Sequence, residues 1–202
     1  MQSNLQKALS CKLEAFNYLY VLCDWETLIK KNYTLDKFIE NCKNKDVKLV
    51  QYRDKISSLE TQRENILYLK SKLNIPIMIN DKIELIDISD GLHLGQEDFL
   101  KIHKEKEIAI KLIRAKIKDK LLGLSTHNEM EILEANNLNL DMIGLGAYKN
   151  RRVIITAFAR HPILSYLAKI SKHPVCAIGG VKCDDKIDNI KFNVVGSAFC
   201  EN

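Results

Sequence analysis

No run in this 202-residue chain approaches the roughly 18 uninterrupted apolar residues that a membrane-crossing helix needs, so no spanning segment is expected. The opening residues, Met1 to Lys12, lack the apolar core of a secretion signal, and a cytosolic location is the expectation. With only 8 glycines and 3 prolines, the composition excludes a fibrous or low-complexity chain. The net charge of +5 is spread over many lysines, with no block of like charge. Basic patches with interleaved aromatics are missing, which argues against nucleic acid and leaves an anionic small molecule as the ligand class. Six cysteines (Cys11, Cys23, Cys42, Cys176, Cys183 and Cys200) include no C-x-x-C pair and no His/Cys spacing suited to zinc. Free thiols in a reducing compartment are expected, and Cys23 and Cys176 read as small buried hydrophobes within apolar runs.

What the chain does have is 46% hydrophobic and 28% charged residues, and a length that suits one domain with a sizeable core. Short apolar runs alternate with longer amphipathic stretches. Eight runs read as strands: 19–24, 47–53, 75–81, 91–96, 121–126, 141–146, 174–180 and 193–199. Helical patterns lie between them, among them 56–72, 99–109 and 128–137. Eight strands separated by helices predict a single-domain α/β (β/α)8 TIM barrel rather than an open sheet. Two features depart from the standard barrel. The chain stops three residues past the eighth run, without a closing helix, and residues 1–18 form an N-terminal extension with a helical stretch from Ser3 to Phe16. That stretch is expected to cover the surface the missing helix would have covered.

The chemistry concentrates at the C-terminal ends of the runs, where a parallel barrel places its reactive groups. Gly91-Leu-His-Leu-Gly-Gln-Glu-Asp98 follows Asn80-Asp81 by ten residues and sets an oxygen-rich, acidic cluster at two neighbouring strand ends, which suits Mg²⁺ and diphosphate. In Gln51-Tyr-Arg53-Asp-Lys55 the strand alternation turns Gln51 and Arg53 toward one cavity and Tyr52 away, with Lys55 close by. Two cations and an amide fit a diphosphate and the edge of a heterocycle. The competing readings are structural: Asn80-Asp81 as the N-cap of a helix from Lys82, and Glu97-Asp98 as the cap of a helix from Phe99. Ser125-Thr-His127 offers a hydroxyl and a proton-moving imidazole, although a strand-end histidine is commonly structural. Gly144-Leu-Gly146 permits close backbone approach, and Gly179-Gly180 and Gly196-Ser197, in the seventh and eighth runs, suit phosphate binding through backbone N–H groups.

Taken in order, Q-x-R-x-K, N-D, G-x-H-x-G-Q-E-D, S-T-H, G-x-G and A-I-G-G resemble the thiamine phosphate synthase family, including its thiazole tautomerase branch, over residues 19–199. The resemblance implies a TIM barrel that joins hydroxymethylpyrimidine diphosphate to thiazole phosphate with Mg²⁺ and releases pyrophosphate, by breaking the pyrimidine C–O bond first. It implies that Gln51, Arg53, Lys55 and Asn80 hold the pyrimidine diphosphate and that Asp81 and Asp98 are the Mg²⁺ ligands. Ser125 would contact the leaving group, and Gly146, Gly179, Gly180, Gly196 and Ser197 would receive the thiazole substrate and its phosphate. His127 resembles the proton carrier of the tautomerase branch.

One stretch departs from the family. Its synthases carry a P-T-x-T-K-type loop after the sixth strand, whereas Gly146 is followed here by Ala-Tyr-Lys149-Asn-Arg151-Arg152. One of these three cations would have to replace the lost lysine. Two alternatives to synthesis follow: tautomerisation of a thiazole carboxylate phosphate through His127, or a non-catalytic relic that binds phosphate ligands or a partner enzyme. Self-association into a homo-oligomer is compatible with the sequence.

Overall fold

A computed structural model describes residues 17–146 and 157–201. Its eight strands close into one parallel barrel in sequence order: β1 Tyr18–Asp24, β2 Leu49–Arg53, β3 Ile77–Asn80, β4 Gly91–Leu94, β5 Leu121–Thr126, β6 Met142–Gly146, β7 Val175–Ile178 and β8 Phe192–Val195. The helices are α1 Trp25–Lys30, α2 Leu35–Asn44, α3 Leu59–Lys72, α4 Gln96–Ile102, α5 Lys106–Ile117, α6 Glu129–Ala135 and α7 Ala157–Ile170. The (β/α)8 barrel and the single domain expected from the eight apolar runs are therefore present, and none of the described helices is long and apolar enough to cross a membrane.

Each strand is apolar on both faces because each face meets protein. One face packs outward against the helices through Val21, Val50, Ile79, Leu92, Leu122 and Ile143. The other fills the barrel with Tyr20, Leu49, Met78, Leu121, Met142, Cys176, Phe192 and Val194. This double burial explains the nearly unbroken hydrophobic runs. Cys23 lies in the outer layer and Cys176 in the barrel interior, both buried.

Several boundaries differ from the sequence expectation. The stretch 99–109 is two helices, α4 and α5, separated at residues 103–105. Helix α3 starts at Leu59 rather than at 56, because Asp54 folds the preceding loop by accepting from the N–H groups of Ile56 and Ser57, and Ser58 then caps. The third strand is shortened at both ends, by Pro76, which has no N–H to give the ladder, and by Asp81, whose φ of 62° turns the chain out of the strand. No α-helix begins at Lys82; a 3₁₀ helix, Ile83–Ile88, carries the chain to β4. The seventh strand stops at Ile178, since Gly179 and Gly180 adopt φ of 98° and 78°. The eighth ends at Val195, so Gly196 and Ser197 lie beyond it, and the chain continues into the single 3₁₀ turn Ser197–Cys200. That turn is held by Lys31, which donates to Ser197 O at 2.8 Å, and by Asn41, which donates to Phe199 O at 2.7 Å. The expected N-terminal helix, residues 3–16, lies outside the described residues.

Candidate active site

In-register parallel pairing brings the C-terminal ends of all eight strands to one mouth. Leu22 pairs with Gln51 and Asp24 with Arg53; Gln51 pairs with Met78, and Asn80 with His93. Period-two alternation then turns Tyr20, Asp24, Gln51, Arg53, Asn80, His93 and Ser125 inward. Tyr52 faces the other way, donating to Asp54 at 3.0 Å and accepting from Asn65 at 2.9 Å.

The polar groups form two clusters. On the β1–β3 side, Tyr20 donates its phenol proton to Gln51 Oε1, Gln51 Nε2 donates to Asn80 Oδ1 at 2.6 Å, and Asn80 Nδ2 donates to Asp81 Oδ2. Neither Asn80 nor Asp81 caps a helix: the residue before the 3₁₀ helix is Lys82, which makes no side-chain cap bond. Asp98 does not cap either, because α4 begins one turn earlier on Gly95; its carboxylate binds Lys101 at 2.7 Å and reaches back to Asp81. Burial and the adjoining Asp98 push the Asp81 carboxyl up, while Lys101 draws Asp98 down. The exposed Lys55 adds positive charge near both. A pair of carboxyls held in contact, one of them reluctant to ionise, is a site that a divalent cation would relieve.

Arg53 is ion-paired with Asp24 across the β1–β2 register. Burial alone would raise Asp24, but hydrogen bonds from Thr27 and Arg53 hold its carboxyl below the usual range. Asp24 also caps α1 through Thr27 N at 3.0 Å, so one side chain ties the helix start to the guanidinium.

On the β4–β5 side, His93 Nε2 lies 3.0 Å from Ser125 Oγ. Burial lowers His93 to about 4, so the ring is neutral. The ring fits only because two strand positions lack side chains: a Cβ on Gly123 would stand 2.4 Å from His93 Nδ1, and one on Gly144 3.1 Å from Cε1. His93 Nδ1 has no hydrogen-bond partner among the described residues. At the rim, His127 is over half exposed; its Nδ1 is 3.0 Å from Glu131 Oε2, which also accepts from the His127 N–H at 2.8 Å. The imidazole lies against Gly146, where an added Cβ would be 2.9 Å from Cδ2.

Across the mouth, Gly179 and Gly180 present exposed backbone in the left-handed region, and Gly196 opens the final 3₁₀ turn with Ser197 exposed. The structure thus brings Gln51, Asn80, Asp81 and Asp98 into one bonded cluster, keeps Ser125 and His127 separate from each other, and leaves the glycine loops opposite. Lys149, Arg151 and Arg152 lie outside the described residues. Tyr20, Asp24 and His93 belong to the same constellation, although the strand-end motifs did not single them out as site residues. Among the described residues no group of three or more His, Cys, Asp or Glu forms a complete metal cage.

The family model described as "Thiamine monophosphate synthase" matches residues 19–202. The thiamine-phosphate synthase of Persephonella marina is 31% identical, over 86% of this chain and 81% of that protein. That of Clostridium acetobutylicum is 33% identical, over 88% and 82%. Among solved structures, the thiamine phosphate pyrophosphorylase of Pyrococcus furiosus superimposes with a TM-score of 0.63 at 19% identity, covering 96% of this chain and 89% of the other, and supports the fold.

Proposed function

The chain belongs to the thiamine monophosphate synthase family and is an enzyme of the transferase class, and we propose that it couples hydroxymethylpyrimidine diphosphate to thiazole phosphate with Mg²⁺, releasing pyrophosphate. The observation that carries this reading is the Asp81–Asp98 carboxyl pair at the end of a bonded polar chain, with Lys55 nearby and Arg53 and Ser125 on other strand ends of the same mouth. A tautomerase acting on a monophosphate has little use for such a pair.

In this reading the amides of Gln51 and Asn80 meet the polar edge of the pyrimidine. Arg53 and Lys55 meet the diphosphate, and the Ser125 hydroxyl donates to a leaving-group oxygen. The bond between the pyrimidine methylene carbon and the diphosphate oxygen breaks with both electrons going to pyrophosphate. The thiazole nitrogen lone pair then forms the new C–N bond to the methylene carbon. No proton has to move in the bond-forming step, so the protein's contribution is position and charge. Asp81 and Asp98 would hold Mg²⁺, which needs few carboxylates when phosphate oxygens and water complete its octahedron; when bound it shares the charge of the leaving pyrophosphate. The backbone N–H groups of Gly179, Gly180 and Ser197 would take the thiazole phosphate. A cytosolic location is part of this reading.

One observation favours the second reading. His127 is held by Glu131 at the rim, over Gly146, in the arrangement a proton carrier needs. The deciding experiment supplies purified protein with Mg²⁺, the pyrimidine diphosphate and thiazole phosphate, and detects thiamine phosphate by mass spectrometry. Catalytic turnover supports coupling. Folded protein with no product refutes it and transfers the assignment to His127 chemistry, or to ligand binding without turnover if tautomerisation is absent too.

A further inference from the structure

The hydrogen-bonded chain from Tyr20 to Asp81 has a direction that chemistry dictates. At its end, Asp81 accepts through Oδ2 from the Asn80 side-chain amide. Asn80 must therefore turn its NH₂ group to Asp81, which leaves its carbonyl facing Gln51. Gln51 must answer with its own NH₂ group, which turns its carbonyl into the barrel toward Tyr20. Only a donor satisfies that last carbonyl. Tyr20 supplies it from full burial, which keeps the phenol protonated. Reversing either amide would set two carbonyl oxygens against each other or turn a carbonyl on the Asp81 carboxylate.

We infer that Tyr20 is a positioning residue: its phenol locks the Gln51 and Asn80 amides in one orientation, and so sets both the donor and acceptor pattern shown to the heterocycle and the position of Asp81 for its cation. Each amide keeps one N–H and one lone pair beyond the chain, and these select the heterocycle edge that fits. The identity of that heterocycle rests on the coupling reaction proposed above; the orientation of the amides does not.

Tyr20→Phe tests this, because the ring contact with Phe192, at 6.1 Å and near-perpendicular, survives while the donor is lost. A buried carbonyl left without its donor corresponds to about a tenfold loss or somewhat more in whatever depends on it. Isothermal titration with Mg²⁺ and pyrophosphate, which needs no turnover, is expected to show that loss, as is KM for the pyrimidine diphosphate, in a protein that still melts cooperatively. In a Gln51→Leu background the chain is already cut, and Tyr20→Phe should then add nothing. The side-chain NH₂ groups of Gln51 and Asn80 should each give one sharp pair of slowly exchanging proton resonances in the wild type, and broadened pairs or a second set in Tyr20→Phe. Unchanged resonances overturn the inference, and so does an equal further loss in the Gln51→Leu background. Wild-type protein that binds Mg²⁺ and pyrophosphate but makes no thiamine phosphate overturns the coupling reaction while leaving Tyr20's role standing.

Discussion

Replacing Asp98 by Asn removes one of two carboxyls held in contact, so the ligand-free protein should become more stable while losing its response to metal. Burial and Asp98 both raise Asp81, whereas Lys101 lowers Asp98, so the pair shares its protons unevenly. Two full charges about 4 Å apart repel by about 4 kcal/mol at an effective dielectric near 20, and proton sharing with solvent access leaves about 1 kcal/mol of that. The contact with Lys101 given up in exchange is with a solvent-exposed ammonium and offsets little. A gain of about 1 kcal/mol corresponds to about 2–4 °C in a chain of this size. In the wild type, Mg²⁺ and pyrophosphate at about 100 times their Kd should add about 2.7 kcal/mol, which Asp98→Asn should nearly abolish. Circular-dichroism melts in EDTA, and then with Mg²⁺ and pyrophosphate, read both effects, and turnover of the variant should fall with its metal response. A wild-type melting temperature indifferent to Mg²⁺, or a variant that keeps the full ligand shift, would refute the assignment of this pair as metal ligands.

Gly123→Ala drives a methyl to within 2.4 Å of His93 Nδ1 while Gly144 packs the other side of the ring; about 1–3 kcal/mol of destabilisation is expected, read from urea melts, with loss of whatever activity needs Ser125. Asp24 and Asp54 both have folded-state pKa values lowered by hydrogen bonds that outweigh burial. Their stabilisation is complete above the unfolded value near 3.9 and is lost as pH falls through the folded values, so Asp54→Asn should be the less stable protein at neutral pH and should lose less on acidification below about pH 4. An acid limb as steep as that of the wild type would count against it. His127→Ala should leave coupling close to the wild-type rate while abolishing any proton exchange into a thiazole carboxylate phosphate, followed by NMR in D₂O; persistent exchange removes His127 from that role.

The barrel was legible because strands buried on both faces leave runs that helices do not, and strand alternation alone already set Gln51 and Arg53 against Tyr52. Strand ends were less legible, since they depend on backbone events that composition does not announce: the positive φ of Asp81, and the left-handed Gly179 and Gly180. The same positive φ decided between capping and site roles for Asn80-Asp81, because it turns the chain into a 3₁₀ helix whose start uses neither side chain. Three members of the site escaped because each has a plausible structural reading. Tyr20 reads as core, Asp24 as a cap, which it also is, and His93 as one polar residue in an apolar strand.

What would have exposed them is the inventory of the barrel interior rather than any motif. Inward positions on β1–β3 are large, with Tyr20, Leu49 and Met78, whereas on β4–β6 they include Gly91, Gly123 and Gly144. Volume must be conserved across a closed interior, so three glycines on one side demand a large neighbour, and His93 is the side chain that fills the gap between Gly123 and Gly144. Polarity follows the same division. The β1–β3 wall carries the directed chain that ends on Asp81, and the β4–β5 wall carries the neutral His93 beside Ser125. A ligand entering the mouth therefore meets fixed amides and a carboxyl pair on one wall and a hydroxyl beside a neutral imidazole on the other.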